Sequence, residues 1–216
     1  LFKQNNFKAA VGKFTSSISN DPKFTPAYYN KAVAQNSMED YKGAIKTLDE
    51  LLTIKANYAK AFFQRARAYQ GIGDYLNAET DYEKVIELKP KYDKAYYNYG
   101  TLKFMQKDYF AAVTQFSKVI MLKPDDAYAY NDRGSCYRML EKYGEAVKDY
   151  EEAARKNPNL AFVLNNIGTT KTKLKMYVEA LAAFNRALSV DTEFFLAYNN
   201  RGVTHMRMER IDDAVN

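Results

Sequence analysis

Alanine stands at every 34th position of this chain, at Ala10, Ala44, Ala78, Ala112, Ala146, Ala180 and Ala214, with no residue inserted or lost between them. A strict period of that length means a stack of like units, each too small to bury its own apolar face, so that neighbours complete one another's core. Numbering each unit from residue 25 brings further slots into step. Slot 4 reads Tyr28, Phe62, Tyr96, Tyr130, Leu164, Tyr198, and slot 8 reads Ala32, Ala66, Gly100, Gly134, Gly168, Gly202. Slot 17 reads Phe7, Tyr41, Tyr75, Tyr109, Tyr143, Tyr177, Ile211, and slot 24 reads Phe14, Leu48, Tyr82, Phe116, Tyr150, Phe184.

Slots 4, 8 and 11 step by four and three, which places them on one face of a first helix, and slots 17, 20, 24 and 27 do the same for a second. The unit is a helical hairpin. Small residues at slots 8 and 20 let the two backbones approach while the rings at slots 4, 17 and 24 fill the space beside them. Asp40, Asp74 and Asp108 precede the second helix, where a carboxylate accepts orphan backbone N–H groups, and Gly71 and Gly73 are expected to loosen the turn before it. Pro22, Pro90, Pro124 and Pro158 at slot 32 end the unit, and Pro26 fits the start of a first helix.

This pattern closely resembles the tetratricopeptide repeat, over the whole chain. Departures are few: slot 4 never holds Trp, and slot 7 is often basic (Lys31, Arg65, Arg133, Arg201). The resemblance implies an all-α fold, a right-handed α-solenoid superhelix of antiparallel helix pairs, with first helices lining a concave groove. The expected organisation is a partial repeat at 1–24, complete units at 25–58, 59–92, 93–126, 127–160 and 161–194, and a partial repeat at 195–216, in one continuous solenoid. The chain starts inside the second half of one unit and Asn216 falls in the middle of a second helix, so a segment of a longer protein is expected.

Signs of chemistry are sparse. The one histidine, His205, sits at slot 11, a position expected to face the partner helix, with no second ligand type recurring beside it. Gly71-Ile72-Gly73 lacks the strand that a phosphate-cradling loop needs. The lone Cys136 excludes an internal disulfide and fits a reducing, intracellular compartment; at slot 10 its expected role is packing. Neither catalysis, nor a cofactor, metal or small-molecule substrate, is expected from these residues. No apolar run approaches membrane-spanning length. The net charge of +6 raises nucleic acid as a partner, but Lys and Arg are interspersed with Asp and Glu, and the aromatics fall largely in core slots, which argues against a stacking platform.

What remains is a surface for a protein or peptide. On a first helix, slots 2, 5, 9 and 12 form a second stripe, flanked by slots 6 and 13, and the family resemblance makes it the concave wall. Candidate partner-binding residues in the N-terminal half are Tyr29, Asn30, Lys60, Phe63, Gln64, Arg67, Lys94, Tyr97, Asn98 and Phe104. In the C-terminal half they are Asn131, Arg138, Asn165, Asn166, Asn199 and Asn200. Two roles for the amides stand open: pairing with the backbone of an extended segment, or bridging adjacent helices. The pairs Asn165-Asn166 and Asn199-Asn200 resemble the asparagine ladder of O-linked N-acetylglucosamine transferases. An apolar wall with cationic rims suits a partner with hydrophobic anchors and acidic or phosphorylated side chains. The carboxylate-holding pattern of chaperone-binding relatives is not met, since slot 5 never holds Lys, slot 9 never Asn and slot 6 never Arg. The expected function is a noncatalytic interaction scaffold. Competing expectations are the substrate-recognition arm of an enzyme such as a glycosyltransferase or phosphatase, and a structural subunit of a large assembly.

Overall fold

The computed structural model describes residues 2–215, and side chains from 6 to 209. Among the described residues there are twelve α-helices and no strand. They are α1 (Phe2–Asn20), α2 (Thr25–Ser37), α3 (Tyr41–Ile54), α4 (Ala59–Gly71), α5 (Tyr75–Leu88), α6 (Asp93–Met105), α7 (Tyr109–Leu122), α8 (Ala127–Met139), α9 (Tyr143–Lys156), α10 (Ala161–Lys173), α11 (Tyr177–Val190) and α12 (Phe195–Val215). Even-numbered helices are the first members of hairpins, odd-numbered ones the second. The architecture is an all-α helical-repeat solenoid, and the chain divides into two compact units, 1–102 and 103–216.

Core composition follows the repeat. Ala44, Ala78, Ala112, Ala146 and Ala180 have no exposed surface, and Ala10 is half-buried; Ala214 and Ile211 lie outside the described side chains. In the first unit one cluster joins Tyr28, Ala32, Ala44, Leu48 and Leu51, and another joins Ala66, Ala78, Tyr82, Val85 and Leu102. In the second unit Ala146, Tyr150, Leu164, Ala180 and Phe184 share one core. The small slots are small for a measurable reason. A Cβ placed on Gly168 would lie 2.6 Å from the ring of Phe184, and one on Gly134 would lie 3.0 Å from the ring of Tyr150.

Hairpin turns carry their own chemistry. Asp40, Asp74 and Asp108 accept from the backbone N–H groups of Gly43 (3.1 Å), Asn77 (3.3 Å) and Ala111 (3.1 Å), capping α3, α5 and α7. Two residues before each of α3, α5, α7, α9 and α11 the chain turns left-handed: Glu39, Gly73, Lys107, Glu141 and Lys175 have φ between 58° and 79°. Only Gly73 adopts that conformation without steric cost. Gly71 serves packing rather than a loose turn, since it ends α4 where a Cβ would come within 2.6 Å of the Tyr41 ring. At the start of the first helices, the Tyr28 and Tyr96 hydroxyls donate to the carbonyls of Pro22 and Pro90, each at 3.1 Å, tying slot 4 to the preceding slot 32.

Two expectations fail at the C-terminal repeat. The phase of the sequence places a turn near Glu209, yet α12 runs unbroken from Phe195 to Val215. His205 is consequently exposed and faces no second helix.

Gly168→Ala is expected to destabilise the protein by about 1–3 kcal/mol through overpacking against Phe184. Urea unfolding followed by circular dichroism checks this; an unchanged midpoint would contradict the packing account.

Candidate functional site

First helices and second helices differ sharply in charge. Across α2, α4, α6, α8 and α10 there are ten Lys and Arg against two Asp, Asp93 and Asp132. Across α3, α5, α7, α9 and α11 there are eight Lys and Arg against eleven Asp and Glu. The first helices are thus a cationic set. Part of that charge is used internally. Arg65 at slot 7 reaches Asp81 with two bonds of 2.7 Å and Asp49 of the preceding repeat at 2.6 Å. Arg133 repeats this with Asp149, at 2.7 Å twice, and Ser117 at 3.0 Å, while Arg201 reaches Asn185 at 2.7 Å. Each of these arginines also lies over aromatic rings of its own helix, Phe62 and Tyr69 for Arg65, Tyr130 and Tyr137 for Arg133, and Tyr198 for Arg201. The paired carboxylates hold the guanidinium pKa of Arg65 and Arg133 above its ordinary value, so both stay charged.

Cations of the other stripe are used differently. Lys60, Arg67 and Lys94 are exposed, and neither Lys60 nor Lys94 has a carboxylate partner among the described residues. Arg67 donates to Gln64 Oε1 at 3.3 Å. Beside them lies an aromatic cluster of the first unit. The Tyr29 and Tyr58 rings are 5.9 Å apart, and Phe63 packs edge-on to Tyr92 at 5.3 Å and to Tyr82 at 6.2 Å. Burial and the proximity of Tyr29 raise the phenol pKa of both Tyr58 and Tyr92, keeping them neutral hydrogen-bonding groups. Tyr58 and Tyr92 were not among the candidates from sequence. Their signal is slot 34, which reads Phe24, Tyr58, Tyr92, Asp126, Leu160 and Phe194, and in the units 25–58 and 59–92 the slot-34 ring meets the slot-5 ring of its own repeat.

Most amides bridge neighbouring helices. In the second unit Asn166 donates to Asn131 Oδ1 at 3.0 Å and Asn200 donates to Asn165 Oδ1 at 2.9 Å, so slot 6 of one repeat meets slot 5 of the repeat before it. Asn131 in turn donates to Asp132 at 3.0 Å. In the first unit Asn36 donates to the Gln64 carbonyl at 3.0 Å, and Asn98 donates within its own helix to the Lys94 carbonyl at 2.8 Å. Gln64, Asn131 and Asn165 are buried, as is Phe63, while Asn30 and Asn199 remain exposed. Tyr97 is half-buried, and the half-buried Phe104 packs edge-on to Tyr109 at 5.3 Å. Arg138 is half-buried with its Nε unpaired. Elsewhere in the second unit, Tyr128 stacks on Phe162 at 6.2 Å.

Chemistry of other kinds finds little footing. Among the described residues no group of three or more His, Cys, Asp or Glu is placed to hold a metal ion, and no helix is long and apolar enough to cross a membrane. Cys136 is buried, and that burial, with the charges of Asp132 and Asp149 nearby, pushes its thiol up to about 12, far from a reactive thiolate.

Residues 25–58 and 59–92 match one tetratricopeptide repeat model, and residues 127–160 match another. These three units are tetratricopeptide repeats. Among solved structures it is similar to YrrB, described as a tetratricopeptide repeat protein with an unusual peptide-binding site, at 20% identity and a TM-score of 0.73 over 88% of this chain and 97% of that one. It is also similar to MamA from Desulfovibrio magneticus, at 22% identity and a TM-score of 0.73 over 79% of this chain and 96% of that one. A further likeness is to the Cut9-Hcn1 assembly of the APC/C, at 18% identity and a TM-score of 0.69 over 93% of this chain and 40% of that one. No curated protein matches the sequence. The architecture is that of a protein-interaction scaffold.

Arg133→Ile leaves Asp149 buried and unpaired and is expected to cost about 3 kcal/mol. The double change Arg133→Ile with Asp149→Ala copies the pair Ile167 and Ala183 that occupies the same slots one repeat later, and should recover most of that loss. Denaturant midpoints of the two variants test the coupling; equal losses would deny it.

Proposed function

We propose that the chain is a noncatalytic scaffold whose first-helix face in the first unit binds an acidic, extended or helical segment of another protein. The observation that carries this is the unpaired charge of Lys60 and Lys94 beside Arg67 and the Tyr29–Tyr58 and Phe63–Tyr92 pairs. Arg65 and Arg133 at slot 7 find their carboxylates on the second helices; the lysines of slot 2 have none, and an arriving carboxylate or phosphate gives them one. The rings beside them supply the apolar contact that a charged partner alone would lack.

In the second unit the amides play a separate, supporting part. Asn131, Asn165, Asn166 and Asn200 already bond one another, so they hold adjacent first helices in register. An amide has donors and acceptors beyond one such bond, and those left over face a partner's backbone from fixed positions. The peptide-binding description of YrrB accords with this use of the fold, which is as far as a likeness at 20% identity extends.

Selection from a peptide-display library against the wild-type chain should return sequences rich in Asp and Glu with apolar anchors. Binding measured by fluorescence anisotropy should fall at least about tenfold for Lys60→Glu with Lys94→Glu, and weaken with added salt. Selected peptides without acidic bias, or undiminished binding to the charge-reversed variant, would overturn the reading.

A further inference from the structure

Within the second unit, α10 and α12 enclose a pocket of about 100 Å³ between them, beside the bond from Asn200 to Asn165. The repeat pattern explains why it opens here. In the second repeat the Tyr82 hydroxyl, at slot 24, donates to Gln70 at slot 12 across 3.0 Å. In the fourth, the Tyr150 hydroxyl bonds Ser135 at 3.0 Å and slot 12 holds the long Arg138. In the fifth, slot 24 is Phe184, which has no hydroxyl, and slot 12 shortens to Thr172. The pocket lies against both of these residues. A single water needs roughly 10–15 Å³ of such a volume, so the pocket has room for the end of one side chain.

Its own polar walls are already satisfied. The hydroxyls of Thr169, Thr172 and Thr204 bond the carbonyls one turn back at 2.9, 2.9 and 2.8 Å, and Asn200 gives its amide to Asn165 Oδ1 at 2.9 Å. Phe184 and Val203 supply apolar wall. The rim is cationic. Slot 13 reads Ser37, Gly71, Met105, Met139, Lys173 and Arg207, so two successive cations stand at that slot only where the pocket is, and both line it. Lys171 nearby is paired with Glu151 at 2.8 Å, whereas neither Lys173 nor Arg207 has a carboxylate partner among the described residues. No Asp or Glu lines the pocket.

We infer that this pocket receives one acidic side chain of a partner segment, with its anionic oxygens between Lys173 and Arg207 and its aliphatic stem against Phe184 and Val203. The guest takes the place of the tyrosine hydroxyl and long slot-12 chain that fill the equivalent space in the second repeat. A carboxylate and a phosphate ester share the required chemistry, since each accepts from a guanidinium fork and an ammonium together. The site lies wholly in the second unit and does not depend on Lys60 or Lys94.

Amide NMR of the full chain tests this by titration with the capped tripeptide glycyl-glutamyl-glycine, its glutamine counterpart and its phosphoserine counterpart. Shifts at Thr169, Thr172, Val203 and Thr204 should saturate with a Kd on the order of 1–10 mM for an acidic peptide and be absent for the glutamine one. Saturation by the glutamate peptide marks a carboxylate as the guest, and saturation by the phosphoserine peptide alone marks a phosphate ester. Lys173→Ser with Arg207→Ser, two exposed positions, should weaken binding at least about fivefold with helical circular dichroism unchanged. Thr172→Gln restores the slot-12 residue of the second repeat and should weaken binding as much by filling the pocket, with both cations still present. Lys60→Glu with Lys94→Glu should bind these tripeptides as the wild type does, so failure of the first-unit site and failure of this one are read separately. Equal shifts from the glutamine peptide, no saturation by either acidic peptide, or undiminished binding by the serine pair or by Thr172→Gln would each overturn the proposal.

Discussion

Close approach of two helices at small residues, with a ring from each side closing the gap, is the interaction on which everything else here depends. Ala44, Ala78, Ala112, Ala146 and Ala180 are wholly buried, and rings such as Tyr82, Tyr150 and Phe184 fill the space they leave. No hairpin of this size encloses a core by itself, so the burial is shared with the next one. Because the shared core consumes one stripe of every helix, the remaining stripes are left to differ, and function resides in that difference.

In the proposed division of roles, second helices hold and first helices present. Acidic second helices accept the slot-7 arginines, as Asp81 and Asp149 do for Arg65 and Arg133 across a hairpin, and Asp49 ties Arg65 to the repeat before it. Removing either partner strands a buried charge, whereas the fifth repeat shows the alternative, Ile167 and Ala183, in which both slots are apolar. Positive charge that is not consumed this way collects at Lys60, Arg67 and Lys94, next to rings already fixed by their neighbours. A rigid apolar wall with free cations loses little freedom when a partner docks.

Core, hairpins and caps were legible in the sequence because they repeat: small and large slots, Asp before a second helix and proline after it each recur in fixed phase. The candidate site was only partly legible. Slot 5 and slot 6 amides looked alike along the chain, but whether an amide meets a partner or a neighbouring helix depends on a distance across repeats, and the bonds from Asn166 to Asn131 and from Asn200 to Asn165 span 35 residues. Slot-7 arginine was readable as a departure from the family pattern, yet its meaning needed the Asp sixteen residues further on, which is present in the second and fourth units and absent from the third and fifth. The C-terminal repeat escaped because phase alone does not form a turn: α12 runs unbroken through the position at which the other repeats turn.

Hydroxyl-radical footprinting of the chain with and without a selected acidic peptide tests the division of roles most directly. Protection should fall on Tyr29, Tyr58, Tyr92 and Tyr97 of the first-helix side, with oxidation of the exposed second-helix residue Leu76 unchanged. Protection of Leu76 and its neighbours on α5, with the tyrosines of the first-helix side unaffected, would contradict the account.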